Sequence, residues 1–368
     1  MATTTPQSTT PGGGMTVDPD AVGSVTRVHH GGSDDPDLVD FSANTNPVRP
    51  EGVVDAYEAA LADATSYADD HAEFRDAAAD YVGCSREKVI PTAGGVAALR
   101  LAFGVTVAPG DRVALPDPGF GEYAREVRLQ GGEPVGVGER ALLDIDPAAY
   151  AAVVVCTPNN PTGYLPDAAE LRELGDRCRA AGTPLVADEA FLDFTDASSL
   201  AGEPGVIVAR SLTKMFGLPG IRAGFAAATG DLGDRLRTAR ATWSLSVPAA
   251  AVGTHCLRRE AFVERTRERV RSERARMRAA LSDAYDVAPS DAPFLLVDVG
   301  DAQVSDDRSS DTEDRPNDAA VDAVIRRARE CGVAIRDART FSGLNSHVRV
   351  AVRRPHENDL LLDALLDR

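Results

Sequence analysis

Ser211-Leu212-Thr213-Lys214 is the stretch of this sequence with the clearest chemical potential. Lysine is nearly absent: among 39 Lys and Arg residues only Lys88 and Lys214 are lysines. Lys88 lies in the polar turn CSREK, where an ordinary surface lysine is expected. Lys214 follows the apolar run Val206–Ala209, at what reads as a strand-to-loop junction. Arginine, the cation this chain uses elsewhere, would fill any purely electrostatic role. Lysine alone loses its proton readily and forms an imine, because a guanidinium stays charged. A surviving surface lysine is the plain alternative.

If the aldehyde partner is pyridoxal phosphate, it needs a carboxylate for the ring nitrogen, a donor for the ring hydroxyl and a cup for the phosphate. Asp188 ends the apolar run Leu185-Val186-Ala187 and so points into a cleft at a sheet edge. A buried acid without a cation is costly, and a protonated pyridinium satisfies it. A helix N-cap is the other reading of Asp188. Asn160, in Thr157-Pro158-Asn159-Asn160-Pro161-Thr162-Gly163, is the donor candidate, or an Asn-Pro turn. Thr92-Ala93-Gly94-Gly95-Val96 joins a strand to a helix, and its glycines let backbone N–H groups approach an anion at the positive helix end. Gly-Gly before a helix is common by itself. Ser211, Thr213 and Arg222 complete the cup with two hydroxyls and a bidentate cation. Phe120, in Pro118-Gly119-Phe120, stacks on the ring or packs in the core.

These residues need elements that bring them to one edge. Short apolar runs at Val89–Thr92, Arg112–Leu115, Pro134–Val137, Ala152–Cys156, Pro184–Ala187, Val206–Ala209 and Ala223–Ala228 alternate with helical stretches such as Ala97–Val107 and Ala168–Ala180. That alternation predicts an α/β fold with a mostly parallel sheet covered on both faces, its ligands at the loops after the strand ends. Val53–Val82 is helical with a break near Thr65–Asp70, and Pro248–Ala284 reads as one or two long Arg/Glu-rich helices. A helix (Ala320–Cys331), strands Val333–Arg336 and Val348–Val352, and a helix Glu357–Leu366 make a compact α+β unit. Residues 301–319 are acidic and polar and read as an exposed insertion.

Composition sets outer limits. The 368 residues are 43% hydrophobic, enough for a large core. No run of about 18 apolar residues is present, as a membrane span needs. The Thr/Pro/Gly-rich start lacks the apolar core of a signal peptide, with Met15 a candidate start, so a cytoplasmic location is expected. The net charge of −18 repels nucleic acid and anionic lipid. A carboxylate-rich, lysine-poor, Ala-rich chain reads as adapted to high salt. Cys84, Cys156, Cys178, Cys256 and Cys331 are scattered without a CxxC and read as free thiols, and no histidine cluster calls for a metal.

The set TPNNPTG, ADEAF, SLTK and Arg222, eight residues beyond the lysine, resembles fold-type I pyridoxal-phosphate enzymes of the aminotransferase class I/II superfamily over roughly residues 38–366. The resemblance implies Lys214 as imine-forming lysine and catalytic base, Asp188 as pyridinium partner and Asn160 on the ring hydroxyl. It implies Gly95, Val96, Ser211, Thr213 and Arg222 around the phosphate, and Arg349 on the substrate carboxylate. Tyr67 matches the family tyrosine that reaches the phosphate of the neighbouring subunit, implying a homodimer. It also implies a large cofactor-binding domain (51–247), a small domain (248–368) carrying the insertion, an N-terminal segment (21–50) packing on the small domain, and a flexible tail (1–20).

Within the superfamily the chain is most similar to threonine-phosphate decarboxylases of cobalamin biosynthesis, close relatives of histidinol-phosphate aminotransferases. The similarity rests on His30-Gly31-Gly32 followed by Asp40-Phe41-Ser42-Ala43-Asn44-Thr45-Asn46-Pro47, on Asp188-Glu189-Ala190-Phe191-Leu192-Asp193-Phe194, and on Ile335-Arg336-Asp337 with Arg349-Val350-Ala351-Val352 and Glu357-Asn358. The aminotransferases usually carry Tyr in place of Phe191; without that hydroxyl, Asn160 is left as the main neutral partner of the ring oxygen. The cup TAGGVA lacks their GNGE-like acidic residue, and Ser33 stands where the decarboxylases often have Asn. The implied reaction is decarboxylation of L-threonine O-3-phosphate. Arg336 and His30 are the candidates for the substrate phosphate, with Asn44 beside them. An ion pair with Asp337 is the other reading of Arg336, and a tail residue without a role that of His30. Transamination of histidinol phosphate or an aromatic amino acid needs nearly the same residues. A cofactor-binding regulator or inactive scaffold fits poorly, because Lys214 is retained and no basic patch is present.

Overall fold

Alternation along buried strands decides how the molecule is layered. The computed structural model describes residues 17–300 and 316–366. The tail at 1–16 and residues 301–315 of the expected insertion lie outside that range. The strands are β1 (Val39–Asp40), β2 (Val89–Thr92), β3 (Arg112–Asp117), β4 (Glu133–Gly138), β5 (Ala152–Cys156), β6 (Leu185–Asp188), β7 (Val206–Ser211), β8 (Gly224–Ala227), β9 (Asp286–Val287), β10 (Phe294–Asp298), β11 (Val333–Ala334), β12 (Arg336–Asp337) and β13 (His347–Ala351). Seven of them form one sheet in the order β2-β8-β7-β6-β5-β3-β4. Its pairings are parallel from β4 through β7, and β8 runs antiparallel to both its neighbours.

The helices are α1 (Pro19–Val22), α2 (Val53–Ala60), α3 (Ala72–Val82), α4 (Gly95–Thr106), α5 (Gly121–Leu129), α6 (Ala168–Ala181), α7 (Gly230–Ala239), α8 (Val247–Leu257), α9 (Glu260–Leu281), α10 (Pro316–Glu330) and α11 (Pro355–Leu366). In β5, Ala152, Val154 and Cys156 join a cluster with Leu99 and Phe103 of α4 and Tyr123 of α5. Val153 and Val155 join another with Leu171 and Leu174 of α6. A strand buried on both faces needs this continuous apolar run, and each fully buried valine contributes about 1.5–3 kcal/mol. In β6 and β7, Val186, Ile207 and Ala209 face the α4/α5 side. The period of two therefore delivers Asp188 and Ser211 to that same side at the strand ends.

The smaller sheet is antiparallel, in the order β12-β13-β10-β9, and β1 pairs in parallel with β11. Several details differ from the sequence reading, among them β9 and β10, which it did not expect. The expected strand Val333–Arg336 is split between β11 and β12, which serve different sheets. Residues 316–319 are helical, with Pro316 opening α10, because proline is pre-organised for a first helical turn. Residues 19–22 form the short helix α1, where the Asp18 carboxylate accepts from the Asp20 N–H and the Asp18 N–H donates to the Leu129 carbonyl. The expected boundary at 247/248 falls at the start of α8, which packs against α2 and α3.

Candidate active site

A cavity of about 270 Å³ opens at the carboxyl ends of β5, β6 and β7. Lys214 and Asp188 both line it. Lys214 lies three residues past the end of β7, and the fully buried Met215 and Phe216 anchor its loop. Its Nζ has no hydrogen-bond partner among the described residues and lies 5.8 Å from the centroid of the Phe191 ring. Burial, then the Arg349 guanidinium, pushes the amine down to about 8 against the pull of Asp188. Half of such amines are unprotonated at pH 8, the state that attacks an aldehyde.

Asp188 is held at both oxygens. The Tyr123 hydroxyl donates to Oδ2 at 2.6 Å and the Ala190 N–H to Oδ1 at 3.0 Å. Burial raises its pKa in spite of these donors and of Lys214. A protonated ring nitrogen is the group such a carboxylate lacks. Tyr123 is fully buried on α5, and the sequence reading missed it. The signal was present: it lies three residues after Phe120, so the two share a side of the first helical turn.

The residues proposed for a phosphate cup lie together. The first turn of α4 has no side-chain cap. Ser211 Oγ and Thr213 Oγ1 are 2.7 Å apart beside it. Arg222 Nη2 donates to the Ala93 carbonyl at 3.1 Å. A Cβ on Gly94, whose φ is +92°, would come within 2.6 Å of that Nη2, and one on Gly95 within 3.0 Å of the Ser211 Cβ. Only glycine lets backbone, hydroxyls and guanidinium close around so small a space. Val96 and Phe120 line the same cavity. Uncapped amides, two hydroxyls and a cation at one end, with a buried acid and a free amine deeper in, fit a phosphorylated pyridine aldehyde.

The substrate-side candidates line the same cavity. Arg336 and Arg349 are direct partners across β12 and β13, 6% and 4% exposed. Neither makes an ion pair to a described residue. Arg349 Nη1 donates to Asn160 Oδ1, and Nη2 to the Ser42 carbonyl at 3.1 Å. Arg336 Nη2 donates to the His29 carbonyl at 2.7 Å and to Thr340 Oγ1 at 2.9 Å. Both guanidiniums lie over the Phe341 ring, at 5.7 and 5.6 Å, a loop contact without a sequence signal. Burial, then Arg336, lowers Arg349. The ion pair of Arg336 with Asp337 does not form: that carboxylate takes Arg339, Nη2 to Oδ2 at 2.7 Å.

With its Oδ1 engaged by Arg349, Asn160 keeps Nδ2 free to donate. Asn44 Oδ1 is buried without a partner. His30 reaches the cavity, but its Nε2 pairs with Glu122 Oε1 at 2.9 Å, and its ring sits 5.7 Å from that of Phe120. Tyr67 stands apart: it is 82% exposed, stacked on Trp243 at 4.3 Å and outside the cavity.

A family model, aminotransferase class I and II, matches residues 36–365. Histidinol-phosphate aminotransferase 1 of Archaeoglobus fulgidus is 29% identical over 343 residues, 89% of this chain and 98% of that protein. Threonine-phosphate decarboxylase of Salmonella typhimurium is 30% identical over 354 residues, 89% of this chain and 90% of that protein. The solved histidinol-phosphate aminotransferase of Sinorhizobium meliloti, in complex with pyridoxal-5'-phosphate, has a TM-score of 0.76 at 23% identity and covers 88% of this chain and 89% of its own.

Proposed function

The chain belongs to the aminotransferase class I and II family, and from that premise we propose that it decarboxylates L-threonine O-3-phosphate to (R)-1-amino-2-propanol O-2-phosphate, a step of cobalamin biosynthesis. Its cofactor is pyridoxal 5'-phosphate. The observation that carries the reading is the pair Arg336 and Arg349, buried side by side without a carboxylate. A small amino acid bearing a carboxylate and a phosphate answers both. Histidinol phosphate brings a phosphate but no carboxylate, so while it is bound only one of the two arginines gains an anion.

The bound cofactor would supply an electron sink for cleavage at Cα. Asp188, oriented by Tyr123, keeps a proton at the ring nitrogen. Asn160 Nδ2 would donate to the ring hydroxyl, and the Gly95–Val96 turn, Ser211, Thr213 and Arg222 would hold the phosphate. Arg349 orients the substrate carboxylate and Arg336 takes the substrate phosphate, with His30 and Asn44 on the wall of the same cavity. Lys214 Nζ returns a proton to Cα, and an amine with a pKa of about 8 exchanges protons well near neutral pH. Phe191 packs edge-to-face on Phe294 at 5.3 Å, and an apolar wall there leaves Asn160 as the ring oxygen's neutral donor.

We also propose that the working unit is a homodimer in which Tyr67 reaches the neighbouring cup. Its exposure, with Val54, Tyr57 and Leu61 exposed on or just beyond α2, supports this. The second reading, transamination of histidinol phosphate or an aromatic amino acid, is favoured by the match to the Archaeoglobus enzyme. Incubating holoenzyme with L-threonine O-3-phosphate and no oxo acid separates them. Carbon dioxide release is expected. Its absence, with oxo-acid-dependent turnover of histidinol phosphate, replaces the first reading by the second.

A further inference from the structure

Among the described residues no hydrogen bond or ion pair holds the Lys214 side chain, so its position depends largely on its main chain. Asn46 grips that main chain twice. Its N–H donates to the Lys214 carbonyl at 3.0 Å, and its Nδ2 to the Met215 carbonyl at 2.8 Å. Its Oδ1 accepts from Arg269 Nη2 on α9 at 2.8 Å and from the Val48 N–H at 3.1 Å. Asn46 is only 6% exposed, and its amide is used at both ends. The lysine loop is pressed onto this segment: a Cβ on Gly217, whose φ is +65°, would lie 2.5 Å from the Asn46 carbonyl oxygen and 2.8 Å from that of Val48. Four residues upstream, the Ser42 carbonyl receives Arg349 Nη2 at 3.1 Å. One short segment thus holds the backbone of the reactive amine and the guanidinium meant for the substrate carboxylate.

We propose that Asn46 is a positioning residue for Lys214, and that the segment Ser42–Asn46 sets the separation between the amine and Arg349. The inference rests on the imine-forming role of Lys214 and not on which reaction follows, so it fails independently of the decarboxylase reading. Misplacing a reacting group by about 1 Å can lower the rate on the order of 10²-fold. Arg269 acts one step further out, by fixing the Asn46 amide from α9.

The chain offers a direct readout. With two lysines, reductive ¹³C-methylation of the apoprotein gives signals from Lys88, Lys214 and the N-terminal amine alone. Their pH titration is followed by NMR in wild type, Asn46→Ala and Arg269→Met, together with kcat and KM of each holoenzyme below its melting temperature. For Asn46→Ala we expect a displaced Lys214 titration, an unmoved Lys88 titration, and kcat lowered by about 10–10²-fold with KM changed less. Arg269→Met should move the same quantities in the same direction by less. An unchanged Lys214 titration, whether kcat falls or only the melting temperature does, overturns the proposal. If Asn46→Ala does not fold, Arg269→Met decides by the same criteria.

Discussion

Arg210 and Arg349 are equally buried, each 4% exposed, but their surroundings are opposites. Arg210, on β7, pairs with Glu189 at 3.2 Å and with Asp193, and lies 5.7 Å from the centroid of the Tyr81 ring. Glu189 in turn accepts from Ser199 Oγ at 2.6 Å and the Leu200 N–H at 2.8 Å. That cluster completes its electrostatics internally. Arg349 faces another arginine across the strand pair, where like charges destabilise. Desolvating a lone cation costs several kcal/mol, and the β12/β13 pair desolvates two. A closed cluster is architecture. An open one, on the wall of a cavity that also holds a free amine, is what the proposed reaction would use to bind an anion.

Substitutions at the two places should therefore behave in opposite ways. The largest effect belongs to the closed cluster: Arg210→Met leaves two buried carboxylates unpaired and should cost about 3–5 kcal/mol of stability by denaturant titration. Its KM for substrate below the melting temperature should stay near wild type. Arg349→Met should leave the melting temperature unchanged or higher, because it removes an uncompensated charge. Its kcat/KM should fall on the order of 10²-fold, since the substrate carboxylate loses its partner. Equal loss of stability in both variants would erase the contrast.

A smaller effect sharpens it. The rate at which apoprotein captures pyridoxal phosphate, followed by visible absorbance, should rise with pH as the Lys214 amine deprotonates, with its midpoint near pH 8 and a plateau well above it. Arg349 is a neighbouring cation that lowers this amine. Removing it must raise the amine's pKa, so the midpoint for Arg349→Met should lie at higher pH. A midpoint that stays or falls would mean that Arg349 is not felt at Lys214.

Much of this contrast was legible in the sequence, and the part that was not has a physical reason. Asp188 stood out because it ends an apolar strand, where a period of two fixes the face it meets, and Lys214 because it is a rare lysine just past another. The strand Ala152–Cys156 matches its sequence reading residue for residue, because buried β-branched runs leave little freedom at their ends. Arg336 and Arg349 could be named singly, but their confrontation depends on antiparallel register across residues 338–346, which no local pattern encodes. Tyr123 and Asn46 act through contacts 65 and 169 residues away, to Asp188 and Met215. The split of Val333–Arg336 into β11 and β12 reflects two competing sheets, a tertiary choice that strand propensity does not see.

The central claim is that the open arginine pair is matched to a substrate with two anionic groups. It is tested by titrating holoenzyme with L-threonine O-3-phosphate and with L-threonine, reading the change in the cofactor's visible absorbance, in wild type and Arg336→Ala. Wild type should favour the phosphorylated amino acid by on the order of 10²-fold or more, and Arg336→Ala should lose most of that preference. Equal affinity for the two ligands in wild type, or an undiminished preference in Arg336→Ala, would contradict it.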